Sequence, residues 1–572
     1  MQKGITRSGM SHQAGSLCLY VVVAALAALF TMATALSVTD FLQLIFPSGE
    51  QGLSFSTGSV NPIERLLSKV YLLLVAEGPQ RALILYAMLL FVLYGMKNVC
   101  SYVAAVSYAK VKTGVLREVR DGLHKGALRQ NFAHWGSQQQ GQWLSRMSND
   151  VAEYEANVLD SIQMLVSALL TMVVYVFMLF YLDWQMTLLV VAVMGIGTWL
   201  LSVSRKLKRQ SKKLQALNGE LMSTTQETLD SLKEIKAATA IEYVNERQRE
   251  QNKLFTQRRI SLYRRIYAAS PISDFVGNTI VVVILMLGAQ RVLGDAASMT
   301  PALFVSYIMI YVLLLTPIKD FSNAIAQLKK GMGVAERIEE ALNVKGDWNE
   351  ESGRSAECSG VIEFKDVSFG YGREKVIEHL DLTIEAHCHT AIVGESGSGK
   401  TTLGRMLVGL IEPDEGEVLI GGKACNGAER AGRIAYIPQE PMLFNDTIEA
   451  NIRFGREWIT REQIDAAVRI AQVEPILRNL PEGLQTNIGD GGSRLSGGER
   501  QRVNIARALA GNPDVIVMDE ATAALDAATE QHFSDMLRDT MGGRTVVVIA
   551  HRASTIARCD KVYSMEEKRY LR

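Results

Sequence analysis

The sequence predicts a membrane protein in which a bundle of six transmembrane helices precedes a soluble α/β domain that binds phosphate groups. Three observations predict this fold class. Residues 1–330 hold six apolar runs of about the length that crosses a bilayer. Residues 394–402 fit the phosphate-loop pattern GxxxxGK[ST]. A second apolar stretch ends in the acidic pair Asp519 and Glu520.

The six apolar runs predict the six spans. They are residues 16–39, 82–109, 161–182, 184–204, 275–290 and 296–318. Each run alone could be a buried helix of a soluble protein, but six in one half of a chain favour membrane spans. The first run could also be a signal peptide with Ala33-Thr34-Ala35 as its cleavage site. It is longer than the apolar part of a signal peptide, and its removal would leave five spans.

The loop charges predict the orientation in the membrane. Residues 110–146 carry seven Lys and Arg, and residues 205–265 carry fifteen. Positive loops stay in the cytoplasm, so we expect the N-terminus, both long loops and the C-terminal domain on that side of the inner (plasma) membrane. Both loops are rich in helix-forming residues without proline, over 116–129 and 211–257, and predict helices that project beyond the bilayer.

The composition excludes several classes of protein and marks the domain boundary. The 572 residues contain 60 Lys and Arg against 60 Asp and Glu, and this neutral balance argues against a nucleic-acid binder. The six cysteines form no CxxC pair, which argues against a disulfide scaffold or a zinc site. Near 343–360 the chain becomes polar. We therefore predict a transmembrane domain at 1–345 and a nucleotide-binding domain at 346–572.

The phosphate loop follows a predicted strand, residues 390–393, and precedes a predicted helix, residues 403–410. Its glycines let backbone amides wrap a phosphate, and the helix N-terminus favours the negative charge. Lys400 is expected to contact the β- and γ-phosphates, and the Thr401 hydroxyl to ligate Mg²⁺. The nucleotide-binding residues predicted here are Gly394, Ser396, Gly397, Gly399, Lys400, Thr401 and Thr402.

The acidic pair at the end of the second apolar stretch suits a metal-dependent hydrolysis. Asp519 is expected to hold the Mg²⁺ shell, and Glu520 to act as the general base that polarises the attacking water. Alternatively, the two acids are only a solvated strand end. The phosphate loop on the same chain favours the catalytic interpretation.

One further motif decides between the many families that share a phosphate loop. Leu495-Ser496-Gly497-Gly498-Glu499-Arg500-Gln501 resembles the signature of the ABC transporter family. The resemblance covers essentially the whole chain. It implies that Ser496, Gly497 and Gly498 bind the ATP held by the phosphate loop of a second copy. Glu499 stands where glutamine is commoner.

Four more residues match the family's motifs in order, and the resemblance implies their roles. Tyr371 matches the aromatic that stacks on adenine, and Gln439 matches the glutamine that senses Mg²⁺ and the membrane domain. Asp526 matches the D-loop, and His551 matches the switch histidine beside the γ-phosphate. With Glu520, we assign Gln439 and His551 to catalysis.

The domain order resembles the exporter branch, which has a type IV exporter fold. One nucleotide-binding domain per chain implies a dimer, and the intact Glu520, His551 and signature favour a homodimer over a heterodimer. Residues 132–149 and 227–243 resemble the loops that couple the two domains. We expect ATP-driven export or flipping of a lipid or another amphipathic molecule. A multidrug or peptide exporter and an ATP-gated channel or regulator are the alternatives.

The residues that bind the cargo must come from the spans. Ionisable groups inside a bilayer are costly and mark pathways, and Lys97, Lys319 and Asp274 are the candidates. Snorkelling or pairing, such as Lys319 with Asp320, is the structural alternative. Segments around these residues resemble the lipid A flippase group, which implies that basic residues face a phosphorylated glycolipid. Ser167 stands where that group has another basic residue.

Overall fold

The computed structural model divides into two compact units. The membrane unit comprises Met1–Arg120 and Asn149–Ile338, and the nucleotide unit comprises Asp121–Ser148 and Glu339–Arg572. The structure describes residues 13–45, 79–130, 132, 137–188, 191, 205–293, 301–343, 361–371, 374–395, 397–431, 433–521, 527–541, 543–550 and 552–572. The predicted domain boundary at 345 and 346 lies outside these residues.

Helices make up the first half of the described chain, as the apolar pattern predicts. They are α1 (Ala14–Ile45), α2 (Pro79–Leu128), α3 (Ser137–Ser145), α4 (Val151–Tyr154), α5 (Asp160–Leu182), α6 (Arg205–Asp230), α7 (Leu232–Ala237), α8 (Ile241–Leu293) and α9 (Pro301–Leu342). Two π-helical turns, Arg146–Asp150 and Glu155–Leu159, flank α4. In hydrocarbon a helix satisfies its own backbone hydrogen bonds, which is why these apolar runs form helices.

Four stretches of the described helices are long and apolar enough to cross a membrane. They are Ala14–Ala35, Ile84–Leu128, Gln140–Leu182 and Leu303–Leu342, and Gly277–Val292 is a shorter apolar helix. These five correspond to predicted spans one, two, three, six and five. The predicted fourth span is described only at 184–188 and 191. The count of six spans therefore stays a prediction.

A polar corner joins the apolar ends of α5, α8 and α9. The Asp183 carboxylate accepts hydrogen bonds from the backbone N–H groups of Gln185 and Met186, both at 2.9 Å. Arg291 of α8 donates to Asp183 and to Gln185 Oε1. Beside this corner, Thr187 bonds the Tyr307 hydroxyl at 3.1 Å. The corner ties the residues after α5 to both later helices.

At the other end of the membrane unit, charged side chains cross-link the helices. Lys112 of α2 pairs with Glu155 at 2.8 Å and with Asp160 at 2.7 Å. Arg337 of α9 donates two hydrogen bonds to the Asp150 carboxylate, at 3.1 and 2.8 Å. Both clusters join residues that are more than 40 positions apart in the chain. They hold the turns around α4 against α2 and α9.

The two long segments predicted as helical, over 116–129 and 211–257, are helical except at short turns. Helices α6 and α8 pair side by side, and Gln248 Nε2 donates to Thr225 Oγ1 at 3.0 Å. Short irregular turns at 231 and 238–240 isolate α7 between them. These turns lie within residues 227–243, the segment that resembles the second coupling loop.

Two sheets form the nucleotide unit. Its strands are β1 (Ile362–Tyr371), β2 (Glu374–Ile384), β3 (His389–Val393), β4 (Glu415–Ile420), β5 (Lys423–Ala424), β6 (Ile434–Ile437), β7 (Val515–Asp519), β8 (Thr545–Ile549), β9 (Lys561–Ser564) and β10 (Arg569–Tyr570). Its remaining helices are α10 (Lys400–Val408), α11 (Gly427–Ala431), α12 (Ile448–Arg453), α13 (Arg461–Ile470), α14 (Glu474–Arg478), α15 (Gly497–Leu509), α16 (Ala527–Met541) and α17 (Ala553–Ala557).

The larger sheet has the order β10-β9-β3-β8-β7-β6, with parallel pairing from β9 to β6. The smaller sheet is antiparallel, in the order β2-β1-β4-β5. Strands β7 and β8 are buried along their whole length, which is typical of parallel strands covered on both faces. The carboxyl ends of β3, β6 and β7 meet at one edge, where ligands bind in such sheets.

Candidate nucleotide-binding site

The phosphate loop lies between the end of β3 and the start of α10. Gly397 and Gly399 both have φ of 90°, a left-handed conformation that residues with a Cβ rarely adopt. These turns bring the chain back so that α10 starts at Lys400, whose Nζ donates to the carbonyls of Gly394 at 2.8 Å and Glu395 at 2.7 Å. The lysine therefore lies along the concave side of the loop.

Two observations indicate that the loop can bind a phosphate group. The Ser398 hydroxyl is buried and has no hydrogen-bond partner among the described residues. The loop also leads directly into the first turn of α10, a nine-residue helix whose N-terminal amides favour an anion. Ser396, which the sequence also assigns to this loop, lies outside the described residues.

A buried carboxylate lies beside the loop. Thr401 Oγ1 donates to Asp519 Oδ1 at 3.3 Å, and the Tyr436 hydroxyl donates to Asp519 Oδ2 at 3.0 Å. Burial raises the pKa of Asp519, and the hydrogen bonds from Tyr436 and Thr401 oppose that rise. A hydroxyl and a carboxylate are hard oxygen ligands of the kind Mg²⁺ prefers. The Thr401 hydroxyl and the Asp519 carboxylate are therefore suited to bind a magnesium ion at the phosphate loop.

The next residue, Glu520, is held in an unusual conformation. Its φ is 48°, although it is not a glycine, and its backbone N–H donates to Ile549 O at 3.1 Å. Such conformations cost about 1–3 kcal/mol and cluster at functional sites. The Glu520 carboxylate accepts a hydrogen bond from Gln439 Nε2 at 3.0 Å. The structure thus brings together two residues that the sequence assigns to catalysis.

The signature residues lie at the start of another helix. Ser496 caps α15: its hydroxyl accepts from Glu499 N at 3.3 Å, and Glu499 Oε2 accepts from Ser496 N at 2.8 Å. These two bonds form a capping box, which explains why Glu499 serves where glutamine is commoner. The hydrogen bond from the Ser496 backbone lowers the pKa of Glu499. Ser496 and Gly497 are exposed, as a second nucleotide-binding surface would require.

Tyr371 ends β1 with an exposed ring that packs edge-on against Phe369, with ring centroids 5.1 Å apart. Asp526 and His551 lie outside the described residues. Thr402 is buried in the first turn of α10.

Sequence reasoning missed two residues of this site, Tyr436 and Arg405. Burial raises the pKa of the Tyr436 phenol, and the neighbouring Asp519 charge adds to the rise. Burial tends to lower the pKa of Arg405 in α10, but the nearby phenols of Tyr371 and Tyr436 outweigh this and raise it. The sequence does hint at Tyr436, because a polar phenol stands in the strand that leads to Gln439, where an apolar side chain would be enough for packing.

The candidate cargo residues are not gathered into a described site. Lys97 of α2 and Lys319 of α9 are half-buried, and the side chain of Asp274 in α8 lies outside the part of the chain that is described. A cavity of about 530 Å³ lies between α5 and α9. The residues that line it are Asp160, Gln163, Met164, Ser167, Ala168, Thr171, Tyr175, Leu313, Thr316, Pro317 and Asp320. Neither Lys97 nor Lys319 is among the described residues that line this cavity.

Comparison with known families identifies both halves. The profile described as "ABC transporter transmembrane region" matches residues 17–318, more than half of the chain, and the "ABC transporter" profile matches residues 377–523. The chain belongs to the ABC transporter family. It is a multi-pass membrane protein with an ATP-binding domain, as the signature and the spans predict.

Relatives and a solved structure agree with this assignment. The chain is 30% identical over 479 residues to the ATP-dependent lipid A-core flippase of Syntrophus aciditrophicus, covering 83% of this chain and 79% of the relative. It is 30% identical over 507 residues to the flippase of the same name from Desulfotalea psychrophila, covering 87% of each. The structure of a bacterial Atm1-family ABC exporter with ATP bound matches with a TM-score of 0.77 at 20% identity. That match covers 98% of this chain and 95% of the exporter. The fold is therefore the type IV exporter fold, as predicted.

Proposed function

We propose that this transporter is a homodimeric, inner-membrane flippase that uses ATP hydrolysis to move a lipid of the lipid A-core class. The observation that carries the ATPase part is the pairing of Gln439 with Glu520 beside the contact between Thr401 and Asp519. The lipid part rests on the names of the relatives, which align over more than four fifths of the chain.

Each residue of the site has a distinct role in this proposal. Lys400 and the loop amides bind the β- and γ-phosphates, and Thr401 and Asp519 hold Mg²⁺. Mg²⁺ held by these two side chains would supply the charge that stabilises the negative phosphate oxygens. Gln439 orients Glu520, which accepts a proton from the attacking water. We also assign His551 and Asp526 to this site, and Tyr371 to the adenine ring.

A second copy of the chain completes the site. The exposed Ser496 and the amides at the start of α15 form an anion cradle that faces the phosphate loop of the other copy. Since the chain carries both a complete loop and a complete signature, two identical copies form two complete sites. Closing them on ATP and releasing them after hydrolysis would drive alternating access.

Lys97 and Lys319 are proposed to face the phosphates of the lipid head group. We would measure stimulation of the ATPase by purified lipid A in nanodiscs for the wild type, Lys97→Ala and Lys319→Ala. Lys330→Ala, an exposed lysine of α9, is the matched control. Stimulation should fall in both test variants and persist in the control. Equal stimulation in all four proteins would contradict the head-group role.

Export of cationic amphipathic compounds is the second candidate. The cavity between α5 and α9 carries the carboxylates of Asp160 and Asp320, and no Lys or Arg is among its described lining residues. Lys112 already pairs with Asp160, so Asp320 is the acid available to a cation. This candidate predicts stimulation by a cationic dye that Asp320→Asn abolishes. Stimulation by lipid A alone would contradict it.

A further inference from the structure

The turn between β9 and β10 contacts the phosphate loop. Strand β9 pairs with β3 in parallel, with Ser564 opposite Val393, so the turn begins level with the end of β3, where the loop starts. Met565 N donates to Val393 O at 2.9 Å. One residue later, the Glu566 carboxylate accepts a hydrogen bond from Glu395 N, inside the loop. A carboxylate from the end of the chain thus reaches the backbone of the nucleotide site.

Glu566 and Lys400 hydrogen bond to the two ends of one peptide group. The peptide that joins Gly394 to Glu395 donates its N–H to Glu566, and its C=O accepts from Lys400 Nζ at 2.8 Å. The described chain has no cis peptide bond, and in a trans peptide the N–H and the C=O point in opposite directions. Because Lys400 lies along the concave side of the loop, Glu566 lies on the convex side. Its carboxylate is therefore opposite to the side that we assign to phosphate.

This arrangement favours one orientation of the Lys400 ammonium. A hydrogen bond from an N–H to an ionised carboxylate is stronger than one between neutral groups, and it polarises the peptide so that the carbonyl accepts more strongly. Lys400 donates to that carbonyl and also to Glu395 O, at 2.7 Å. A lysine ammonium has three N–H groups, so fixing two of them fixes the direction of the third. The third N–H is then directed to the β- and γ-phosphates.

The turn that carries Glu566 is anchored on two sides. Glu567 N donates to Ser564 Oγ at 3.2 Å, and Lys568 Nζ donates to Glu378 O in β2 at 2.8 Å. These contacts join the turn to β9 and to β2, one strand in each sheet. The sheets therefore determine where the Glu566 carboxylate lies, although the residue itself is exposed.

We propose that Glu566 is a positioning residue that braces the phosphate loop from its convex side and so directs Lys400 toward the nucleotide. It fixes the peptide between Gly394 and Glu395, and that peptide fixes Lys400. Loss of the carboxylate lets this peptide turn and weakens binding of nucleotides that carry a β-phosphate. At saturating ATP the phosphates themselves hold Lys400, so the rate of hydrolysis changes little. This inference rests on the proposed ATPase function and requires no particular cargo.

The test is nucleotide binding and steady-state ATPase of the full-length dimer in nanodiscs, without added lipid A. Glu566→Ala should raise the KM for ATP about 10-fold, as loss of a hydrogen bond to a charged group does, while kcat stays within about 2-fold of the wild type. Glu566→Gln should recover most of the loss, because its amide oxygen can also accept from Glu395 N. An unchanged KM in Glu566→Ala, with or without a lower kcat or melting temperature, would overturn the positioning role.

Glu567→Ala is the matched control. Glu567 is the next residue of the same turn and is also exposed, but its carboxylate accepts from Arg569 Nε at 2.7 Å. The KM for ATP of this variant should equal that of the wild type. If Glu566→Ala and Glu567→Ala raise the KM by the same factor, the effect comes from the charge of the turn and not from the contact with Glu395, and the proposal is wrong.

The link to Lys400 has its own test, with ribose-labelled fluorescent analogues of ATP and AMP. Lys400 is assigned to the β- and γ-phosphates, which AMP lacks. Glu566→Ala should therefore weaken binding of the ATP analogue about 10-fold and that of the AMP analogue less than about 2-fold. Equal weakening of both would overturn the link to Lys400.

Failure of this inference is distinguishable from failure of the proposed function, because binding is measured without turnover or cargo. A wild type that binds ATP but does not hydrolyse it, or does not move lipid A, contradicts the proposed function. Binding of the ATP analogue by Glu566→Ala with the wild-type affinity contradicts only the role of Glu566.

Discussion

The two halves of this transporter differ in how their functional residues come together. In the nucleotide unit, residues from three motifs far apart in the sequence meet within hydrogen-bond distance, as Thr401 with Asp519 and Gln439 with Glu520 show. In the membrane unit, Lys97 and Lys319 lie on different helices and do not line the described cavity. In the nucleotide unit, a strand-loop-helix motif with glycines at fixed positions determines where the side chains of the site lie. No short motif determines the positions of side chains in a cargo site that is built from separate helices.

The charges of the membrane unit illustrate the difference. An ionisable residue near a span suggests a cargo pathway from sequence alone. In the structure, Asp150 and Arg337 form a two-bond ion pair, and Lys112 holds Glu155 and Asp160. These charges cross-link helices.

The largest effect is expected at Glu520. Glu520→Gln removes the base but keeps a group that can bond Gln439, so ATP binding should persist while turnover falls about 100-fold or more. Steady-state ATPase and nucleotide binding measure the two quantities separately. Glu474→Gln, the same change at an exposed residue of α14, is the control. Residual turnover above a tenth of wild type would contradict the assignment of Glu520.

A packing change in the membrane unit should come next. A Cβ on Gly331 would lie 2.6 Å from Val158 Cγ2 and 3.1 Å from the backbone carbon of Asn157, whereas one on Gly333 would meet nothing within 4 Å. Gly331→Ala should therefore destabilise by about 1–3 kcal/mol through overpacking. Gly333→Ala should stabilise slightly, since alanine favours a helix. Shifts of the melting temperature in the same direction for both variants would contradict this packing.

The third effect compares a shielded ion pair with an exposed one. The Asp150 side chain is 12% exposed, so Arg337→Gln leaves a poorly hydrated carboxylate and should cost about 1–3 kcal/mol. The partners of Arg249, Glu242 and Glu246, are 82% and 63% exposed. Arg249→Gln should change stability by less than about 0.5 kcal/mol. If Arg337→Gln and Arg249→Gln lose similar amounts of unfolding free energy in thermal melts, burial does not decide the strength of these ion pairs.

The smallest effect is a pH dependence in the nucleotide unit. Burial lowers the pKa of His389; the charge of Asp560 opposes this, and that of Arg538 adds to it. The unfolded chain then binds a proton that the folded chain does not, so stability falls as the pH drops below about 6.5. The melting temperature of His389→Gln should decline less between pH 8 and pH 6. Parallel declines for the two proteins would contradict a His389 that stays neutral in the folded chain.

Much of the fold follows from the sequence, and the reasons are physical. Five apolar runs correspond to described apolar helices, because a chain in hydrocarbon must bond its own backbone. The phosphate loop is recognisable because its glycines must adopt positive φ. The sequence alone does not place Arg405 or Tyr436 at the site, because Arg405 contacts Phe132 more than 270 residues earlier and Tyr436 donates to Asp519 on another strand. Glu499 stands where glutamine is commoner, and only the structure shows that its carboxylate completes a capping box with Ser496.

If ATP hydrolysis at this site drives lipid movement, the full-length protein should transfer lipid A between the leaflets of a sealed vesicle. We would reconstitute it with lipid A and measure that transfer. The wild type should move lipid A when Mg²⁺ and ATP are supplied, and Glu520→Gln should not. Steady ATP turnover by the wild type without any ATP-dependent transfer of lipid A would contradict the claim.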